Sequence, residues 1–314
     1  MIRAEKITWF DQVQKTLQKI EGETLVLWCS GGADSMVLLS LLTEQKSWKI
    51  VVAHVHHGLR ESATRDQKIV EKYCKKYKIP LEILELNAKK EAKKAKMSVE
   101  EYSRMIRQDF FEHLRKKHKA TKILTAHHAD DQTETLLYRI TKWTSITGLV
   151  GIEESPRYYF RPLLSLSKKE ILQYAKKNKI PFGHDETNDD TTIPRNLLRH
   201  TIVPELQKIN PEIVSAVARL GNSARELKMS FDAFFTEVIE KKSFSLDWYN
   251  GLPLGFQHEL LRLLYEHTNG STHGLSTALL EELDRFLSTR NGWKKEIKKM
   301  KLEKKQGNVL ISQR

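Results

Sequence analysis

Hydrophobic and polar positions along the chain follow two different rhythms. Four short apolar runs have the pattern of strands buried on both faces of a parallel sheet; they cover residues 25–29, 50–55, 81–86 and 123–126. Between them, apolar residues recur at helical spacing over residues 35–42, 64–76 and 99–117. This alternation predicts an α/β fold built on a doubly wound parallel sheet, in which ligands bind beyond the carboxyl ends of the strands.

The pattern changes toward the C-terminus. Ser167-Lys168-Lys169-Glu170 has the spacing of a capping box and predicts a helix that runs to Asn178. Asn210-Pro211 then opens a long amphipathic helix, which is followed by a helical and then hairpin-like tail. The apolar stripe of the long helix consists of Ile213, Val217, Leu220 and Leu227. We therefore expect two domains, residues 1–210 and residues 211–314, the second a smaller, mainly helical α+β domain that ends in a basic hairpin.

Composition narrows the class of protein. With 39% hydrophobic and 30% charged residues, the chain has the make-up of a soluble globular protein, and no apolar run reaches the ~20 residues of a membrane span. The net charge of +13 fits a polyanionic partner such as RNA or DNA, although the solubility of a lysine-rich protein would also account for it. The lysine-rich residues 87–98 form either a solvated helix face or a mobile loop. Glu5 and Asp11 are atypical of a targeting peptide, so we expect a cytoplasmic protein with no membrane partner.

Cysteine usage excludes several kinds of site. The chain has two cysteines, Cys29 and Cys74, far apart and outside any CxxC pair. A disulfide framework, a zinc knuckle or a sulfur-relay pair is therefore not expected. Cys29 lies in an apolar run and is interpreted as a buried small hydrophobic residue.

The first predicted strand runs into Ser30-Gly31-Gly32-Ala33-Asp34-Ser35, which has the parts of an anion site. Two glycines let backbone N–H groups approach a phosphate, and the dipole of the following helix favours negative charge there. The stretch lacks the lysine and spacing of a Walker P-loop, and it lacks GxGxxG. Asp34 would repel phosphates unless a cation lay between them, which favours Mg²⁺ at this residue. A simple turn in which Asp34 or Ser35 caps the helix is the alternative.

A histidine cluster follows the second predicted strand. His54, His56 and His57 precede Arg60, with no cysteine or carboxylate at the spacing of a metal ligand. We interpret this segment as lining a nucleotide pocket rather than holding a metal ion. Arg60 can then bind a phosphate in bidentate fashion.

Carboxylates follow the fourth predicted strand. Asp131 and Glu134 lie three residues apart in the helix that starts after His127-His128, so both can face the same way. The same spacing suits a capping box, and acids are favourable at any helix N-terminus. The residues alone leave a functional and a structural role equally open, while their location at the end of a strand favours function.

The last cluster combines acids and arginines. Asp185 and Glu186 precede Arg195 and Arg199, which lie four residues apart in a segment that begins at Pro194. On an α-helix this spacing would place both arginines on one face. Ion pairs between these acids and arginines are the structural alternative.

Together these clusters resemble the tRNA(Ile)-lysidine synthase family of N-type ATP pyrophosphatases, in order and over about residues 20–210. The matching stretches are "SGGADS", "HVHHGLR", "AHHADDQTET", "RPLL" and "DETNDD…PRNLLRH", with an ExxRxxR pattern at Glu101, Arg104 and Arg107. An aromatic residue commonly follows that pattern, where this chain has Gln108. Another tRNA-modifying member of the superfamily, such as a thiolase, is the alternative, although thiolases generally rely on cysteines that this chain lacks. The tail looks like the compact form of the family, with one C-terminal domain.

The resemblance implies an adenine nucleotide alpha hydrolase-like fold and a ligase that forms a carbon–nitrogen bond. Its substrates would be ATP with Mg²⁺, free L-lysine and tRNA(Ile) with a CAU anticodon. The O2 of the wobble cytidine would be adenylated, and the lysine ε-amine would then displace AMP to give lysidine. The modified tRNA would read AUA instead of AUG. A homodimer is also expected from the family.

The same resemblance, with the residue chemistry, suggests roles for individual side chains. Asp34, Asp131 and Arg195 would be catalytic, with Asp34 holding the metal ion and Asp131 acting as the base. Asp131 and Glu134 would bind lysine. The ATP-binding residues would be Ser30, Gly31, Gly32, Ala33, Asp34, Ser35 and Arg60. The tRNA-binding residues would be Arg104, Arg107, Arg199, Lys294 and Lys298.

Overall fold

The computed structural model describes residues 9–45, 47–56, 58, 62–142, 144–154, 157–183, 194–272, 274–289 and 292–313. The chain divides into two compact units, Met1–Gly221 and Asn222–Arg314. The sequence pattern predicts a domain boundary at residue 210. The boundary between the two compact units instead follows Gly221, inside the long helix Ile213–Lys241. Within the described ranges, no helix is both long and apolar enough to cross a membrane.

The first unit contains a parallel sheet whose described strands lie in the order β3-β2-β1-β4-β5. These strands are β1 Thr24–Trp28, β2 Lys49–His56, β3 Leu81–Glu85, β4 Lys122–Leu124 and β5 Tyr159–Phe160. In β1, Leu25 lies opposite both Ile50 of β2 and Lys122 of β4. The strand order changes direction between β1 and β4, so the ligand crevice is expected beyond the carboxyl ends of these two strands. The predicted doubly wound parallel sheet is confirmed, with the short β5 added at its edge.

The helices predicted over residues 35–42, 64–76, 99–117 and 167–178 agree with the structure to within a few residues. The helices of this unit are α1 Trp9–Gln18, α2 Ala33–Gln45, α3 Ser62–Tyr77, α4 Ala88–Ala95, α5 Val99–Lys117, α6 Ala129–Thr141, α7 Lys168–Lys177, α8 Pro194–Leu197 and α9 Val203–Ile209. The predicted capping box opens α7, where the Ser167 hydroxyl accepts the Glu170 N–H. The lysine-rich segment forms α4, which buries Ala88 and Ala92 and leaves its lysines exposed.

A π-helical turn, Leu198–Ile202, separates α8 from α9. The segment is therefore not one continuous α-helix: Arg195 lies in α8 and Arg199 in the π-helical turn. That the two arginines share one face stays a prediction.

The central strand β1 is packed by hydrophobic residues on both faces of the sheet. Leu25, Val26 and Leu27 have no exposed surface. Leu25 and Leu27 pack in one cluster with residues of α2, whereas Val26 packs in another with Phe111 and Leu114 of α5. Because successive strand side chains point to opposite faces, the sheet has a core on each side. The loop that leaves β1 therefore starts from a strand packed on both faces.

The second unit is mainly helical, with a small antiparallel sheet in the order β6-β9-β8-β7 among its described residues. Its helices are the C-terminal part of α10 Ile213–Lys241, α11 Leu246–Gly251, α12 Leu254–Asn269 and α13 Thr277–Ser288. Its strands are β6 Ser243–Ser245, β7 Lys294–Ile297, β8 Met300–Lys305 and β9 Asn308–Gln313. This confirms a smaller α+β part that ends in a hairpin.

The predicted apolar stripe of α10 is partly wrong. Val217 is buried, but Leu220 and Leu227 are 45% and 38% exposed. The helix buries Ala224 and Phe235 instead, so its packed side is narrower than the apolar pattern suggested.

Candidate active site

The Ser30–Ser35 loop joins β1 to α2 and is supported from behind by α3. Gly31 has a φ of +89°, and a Cβ on it would lie 2.9 Å from the backbone oxygen of Asp66 in α3. A Cβ on Gly32 would meet nothing closer than the Ser30 hydroxyl at 3.6 Å. The Ser35 hydroxyl donates to the Gly32 carbonyl at 3.0 Å and lies 3.2 Å from the Ser30 hydroxyl. Gly31 is thus required by the packing of the loop, whereas a Cβ would have room at Gly32, whose N–H donates to the Ser30 hydroxyl at 3.4 Å.

Asp34, in the first turn of α2, is bound by a lysine that the sequence patterns did not single out. The Lys168 ammonium lies 2.7 Å from each Asp34 carboxylate oxygen. The backbone N–H of Lys168, the first residue of α7, donates to Asp130 at 2.7 Å. The protein itself therefore supplies a cation beside Asp34. The capping box showed that a helix starts at Lys168, but only the packing of α7 against α2 brings its side chain to the loop.

His128 lies between the loop and the acids of α6. Its side chain is 3% exposed, and its Nε2 lies 3.8 Å from Asp34 Oδ1 and 3.5 Å from Asp131 Oδ2. Its Nδ1 lies 3.5 Å from Asp130 Oδ2. Burial alone would lower the pKa of His128, but the neighbouring carboxylates outweigh it and raise the pKa. When it is protonated, His128 offsets the repulsion between the three acids around it, Asp34, Asp130 and Asp131.

Asp131 and Glu134 do face the same way, and Arg199 binds both of them. Arg199 Nε donates to Glu134 Oε1 at 2.5 Å, and its Nη2 donates to Asp131 Oδ1 at 3.0 Å. The other oxygen of Asp131 accepts the backbone N–H of His128 at 3.0 Å, as in a capping box. Glu134 is 5% exposed, and its burial raises the pKa of the carboxyl despite the arginine. Asp131 therefore caps α6 together with His128 and not with Glu134, and the two acids share Arg199 as a partner. Their role in binding a substrate stays a prediction.

The remaining predicted arginines lie in different environments. Arg107 stacks on the ring of Trp28, 4.8 Å from its centroid, and burial lowers the pKa of its guanidinium. Arg104 and Arg195 are exposed. None of the three has a hydrogen bond or ion pair with another described residue. They are therefore available to bind phosphates, whereas Arg199, predicted to bind tRNA, is engaged by the two acids.

The histidine cluster contributes a structural contact. His54 is buried, and its Nδ1 lies 2.8 Å from the Cys29 carbonyl at the end of β1. Burial lowers the pKa of His54, so the ring is neutral and joins β2 to β1. Among the described side chains no group of three or more histidine, cysteine or acidic residues could hold a metal ion. His57, Arg60, Asp185 and Glu186 lie outside the described residues.

In the second unit, the two lysines predicted to bind tRNA lie on the β7–β8 hairpin. Lys294 pairs with Glu296 at 2.5 Å. The Lys298 ammonium lies 5.7 Å from the centroid of the Tyr265 ring. Part of the positive charge of the hairpin is therefore already balanced within this unit.

Curated proteins and solved structures show what the chain is similar to. The tRNA(Ile)-lysidine synthase of Thermotoga maritima is 36% identical over 251 residues, 79% of this chain and 60% of that protein. The protein of the same name from Clostridium tetani is 36% identical over 223 residues, 68% of this chain and 48% of that protein. The chain thus spans no more than about 60% of the length of these relatives.

The fold is also that of a known structure. The U34-tRNA thiolase of Methanococcus maripaludis superposes with a TM-score of 0.59 at 19% identity, over 69% of this chain and 78% of that one. A family model described as a PP-loop domain matches residues 6–206, the part of the chain that holds the Ser30–Ser35 loop and the acid pair. The chain therefore belongs to the PP-loop domain family, whose members bind ATP.

Proposed function

We propose that the protein is a tRNA(Ile)-lysidine synthase, which adenylates the wobble cytidine of a CAU anticodon and then joins lysine to it. The supporting observation is the direct connection between the ATP loop and the acid pair. The same nitrogen of His128, Nε2, lies 3.8 Å from a carboxylate oxygen of Asp34 and 3.5 Å from one of Asp131. A nucleotide loop and a pair of acids suited to a dibasic amino acid therefore belong to one site. The lysidine synthases that match 79% and 68% of this chain support the same activity.

In the first step, the cytosine O2 attacks the α-phosphorus of ATP and the bond to the bridging oxygen of pyrophosphate breaks. The Ser30–Ser35 loop would hold the pyrophosphate through backbone N–H groups and the N-terminus of α2. Arg195, exposed and without a partner among the described residues, would stabilise charge at the α-phosphate. The reacting base must be unstacked, which suits a single-stranded anticodon loop.

We further propose that Mg²⁺ enters with the nucleotide. The described residues offer no cluster for a resident ion, but Mg²⁺ typically binds through one or two carboxylates plus substrate phosphates. Asp34, half-buried beside the loop, fits one such carboxylate. The ion would supply positive charge at the phosphates. Lys168 would keep Asp34 oriented and add its own charge.

In the second step, the lysine ε-amine attacks C2, the C2–O2 bond breaks, and AMP leaves with the oxygen. At pH 7 the amine, with a pKa of about 10.4, must lose a proton at a cost of about 4–5 kcal/mol. Asp131 is our candidate for the base, and Glu134 for holding the amino acid. The Asp131 side chain is 22% exposed, so a substrate could reach part of it.

Phosphates of the tRNA would meet the exposed cations of both units. Arg107, fixed by its stack on Trp28, and the exposed Arg104 are the candidates in the first unit. Lys294 and Lys298 are the candidates in the second, consistent with the net charge of +13. ATP, lysine and tRNA are all available in the cytoplasm, where we place the reaction.

The proposal is tested by the substrate dependence of AMP release. With the full chain, ATP and Mg²⁺, we expect AMP to form only when both lysine and a transcript with a CAU anticodon are present. Asp34→Asn and Asp131→Asn should abolish AMP release while tRNA affinity stays near that of the unmodified protein. Asp247→Asn, an exposed acid in α11, is the matched control and should change neither. AMP release that is independent of lysine would contradict the proposal and favour another tRNA modification.

A further inference from the structure

Trp28 and Arg107 form a stacked pair whose geometry the proposed reaction does not yet use. Trp28 is the last residue of β1 and stands two positions before Ser30, where the loop for the pyrophosphate begins. The guanidinium of Arg107, which belongs to α5, lies 4.8 Å from the centroid of the Trp28 ring. Both side chains are half-buried. Because a guanidinium is planar, the face that is turned away from the ring can pack against a second flat group.

The pair lies on the face of the sheet that α5 covers. Val26, two residues before Trp28 in β1, packs with Phe111 of α5, and the Trp28 ring lies 5.8 Å from that of Phe111. Leu27 packs on the opposite face, in one cluster with residues of α2. The N-terminus of α2, which would hold the pyrophosphate, and the stacked pair therefore lie on opposite faces at the end of the same strand.

His127, which follows β4, brings the neighbouring strand end to the pair. Its ring centroid lies 6.4 Å from that of Trp28, and its Nδ1 lies 2.8 Å from the Thr125 hydroxyl. Burial, together with nearby arginines, lowers the pKa of His127 to about 4, so the ring is neutral at pH 7. Arg195 is close enough to lower the pKa of both Arg107 and His127. The stacked pair is therefore a neighbour of the arginine that would stabilise charge at the α-phosphate.

An unpaired nucleobase is the flat group that suits this place. Single-stranded RNA bases are bound by stacking on aromatic rings and on the guanidinium planes of arginines. In the proposed first step the cytosine O2 must reach the α-phosphorus, so the reacting base must lie beside Arg195. The adenine of ATP is the other flat group in the reaction, but a ribose separates it from the same phosphate. The position beside Arg195 therefore favours the cytosine.

We propose that Arg107, held by Trp28, stacks on the wobble cytosine and thereby positions this base for attack on ATP. This inference rests on the proposed function, because it names the residue that binds the reacting base. Arg107 then acts through its plane rather than as a phosphate contact, whereas Arg104 keeps that role. Trp28 is a positioning residue, since it acts through Arg107.

The kinetic test separates the planar shape of Arg107 from its charge. Arg107→Lys keeps the charge but loses the plane, so kcat for lysine attachment, per folded protein, should fall by about 5- to 100-fold, the contribution of one stacked base. The KM for tRNA should stay within about twofold, because other contacts bind the tRNA. Trp28→Leu should show the same split, and Trp28→Phe should restore part of kcat.

The chain offers a matched control in the same helix. Arg115 of α5 also stacks on a ring, 3.8 Å from the centroid of Tyr158. Tyr158 precedes β5, so this second stack lies at the amino end of the strands, away from the proposed site. Arg115→Lys should therefore leave both kcat and the KM for tRNA unchanged.

A photochemical crosslink locates the base without turnover. A CAU-anticodon transcript with 5-iodocytidine at the wobble position is bound to the unmodified protein with α,β-methylene-ATP and without lysine, and the complex is irradiated. Mass spectrometry should find the adduct on a peptide that contains Trp28, Arg107 or His127. An adduct on another segment, or labelling of these peptides by 8-azido-ATP, would contradict the proposal.

The two measurements also distinguish this inference from the proposed function. If the unmodified protein attaches lysine normally but Arg107→Lys keeps its kcat, the inference alone is overturned and Arg107 is a phosphate contact. A higher KM for tRNA at constant kcat in Arg107→Lys would overturn it in the same way. If the unmodified protein attaches no lysine to the ordinary transcript, the proposed function fails, and the inference fails with it.

Discussion

In the Ser30–Ser35 loop, an added methyl group should lower the stability of the fold at Gly31 but lower the affinity for ATP at Gly32. Gly31→Ala puts a Cβ at a φ of +89° and 2.9 Å from the Asp66 carbonyl oxygen. The backbone strain costs about 1–3 kcal/mol, and moving the α3 backbone costs about 1–3 kcal/mol more. Alanine returns about 0.4–1 kcal/mol by restricting the unfolded chain. We therefore expect a net loss of about 3 kcal/mol.

Gly32→Ala has neither problem, since its φ is not positive and the nearest atom to the new Cβ is the Ser30 hydroxyl at 3.6 Å. We expect its free energy of unfolding to stay within about 1 kcal/mol of that of the unmodified protein. The methyl group would instead occupy the open side of the loop. ATP affinity should then fall by about tenfold, the equivalent of one lost hydrogen bond to a charged group.

Thermal and urea unfolding followed by circular dichroism measure the first effect. At ~2–4 °C per kcal/mol, Gly31→Ala should lower the midpoint of the first unit by about 6–12 °C. ATP titration of the folded variants measures the second effect. Equal stability of Gly31→Ala and the unmodified protein, or equal destabilisation by both substitutions, would refute this description of the loop.

Three further predictions concern the charged groups and the thiols. Lys168→Met should raise the KM for ATP by about tenfold or more, because it removes a cation at the loop. The control Lys169→Met, at an exposed neighbouring residue, should leave the KM unchanged. Equal effects of the two substitutions would contradict the role of Lys168. Because the pKa of His128 is raised, its stabilising contribution is complete below about pH 6.5 and is lost as the pH rises through the folded-state pKa. The advantage in unfolding free energy of the unmodified protein over His128→Gln should therefore be constant below about pH 6.5 and shrink as the pH rises above it. An advantage that stays constant or grows with rising pH would argue against a protonated ring. Burial raises the pKa of Cys29 to about 11 and of Cys74 to about 12, so iodoacetamide at about pH 8 should modify neither thiol before unfolding, as mass spectrometry can show.

The local chemistry of the sequence was sufficient to predict the strand, loop and helix that carry the nucleotide site. The apolar run at residues 25–29 became β1, and Gly31 lies where a backbone turn against α3 requires glycine. The capping box at Ser167 marked the start of α7 to the residue. These features depend on neighbours within a few positions, which the sequence displays directly.

The contacts that complete the site depend on packing between distant segments. Lys168 reaches Asp34 because α7 packs against α2, and no local pattern records this contact. Arg199, in the π-helical turn after α8, reaches Asp131 and Glu134 of α6, and the spacing of the arginines in the sequence does not record this contact. The two-residue strand β5 is too short to give a periodic signal at all.

The central claim is that one site couples ATP cleavage to the attachment of lysine at a wobble cytidine. The most direct measurement is nucleoside mass spectrometry of a CAU-anticodon transcript after incubation with the protein, ATP, Mg²⁺ and lysine, together with the AMP released. We predict that lysine is attached to the wobble cytidine in place of its O2, with one AMP formed per modified tRNA and no product when that cytidine is replaced by uridine. AMP formation without lysine on the RNA, or lysine attached at another nucleotide, would contradict the account.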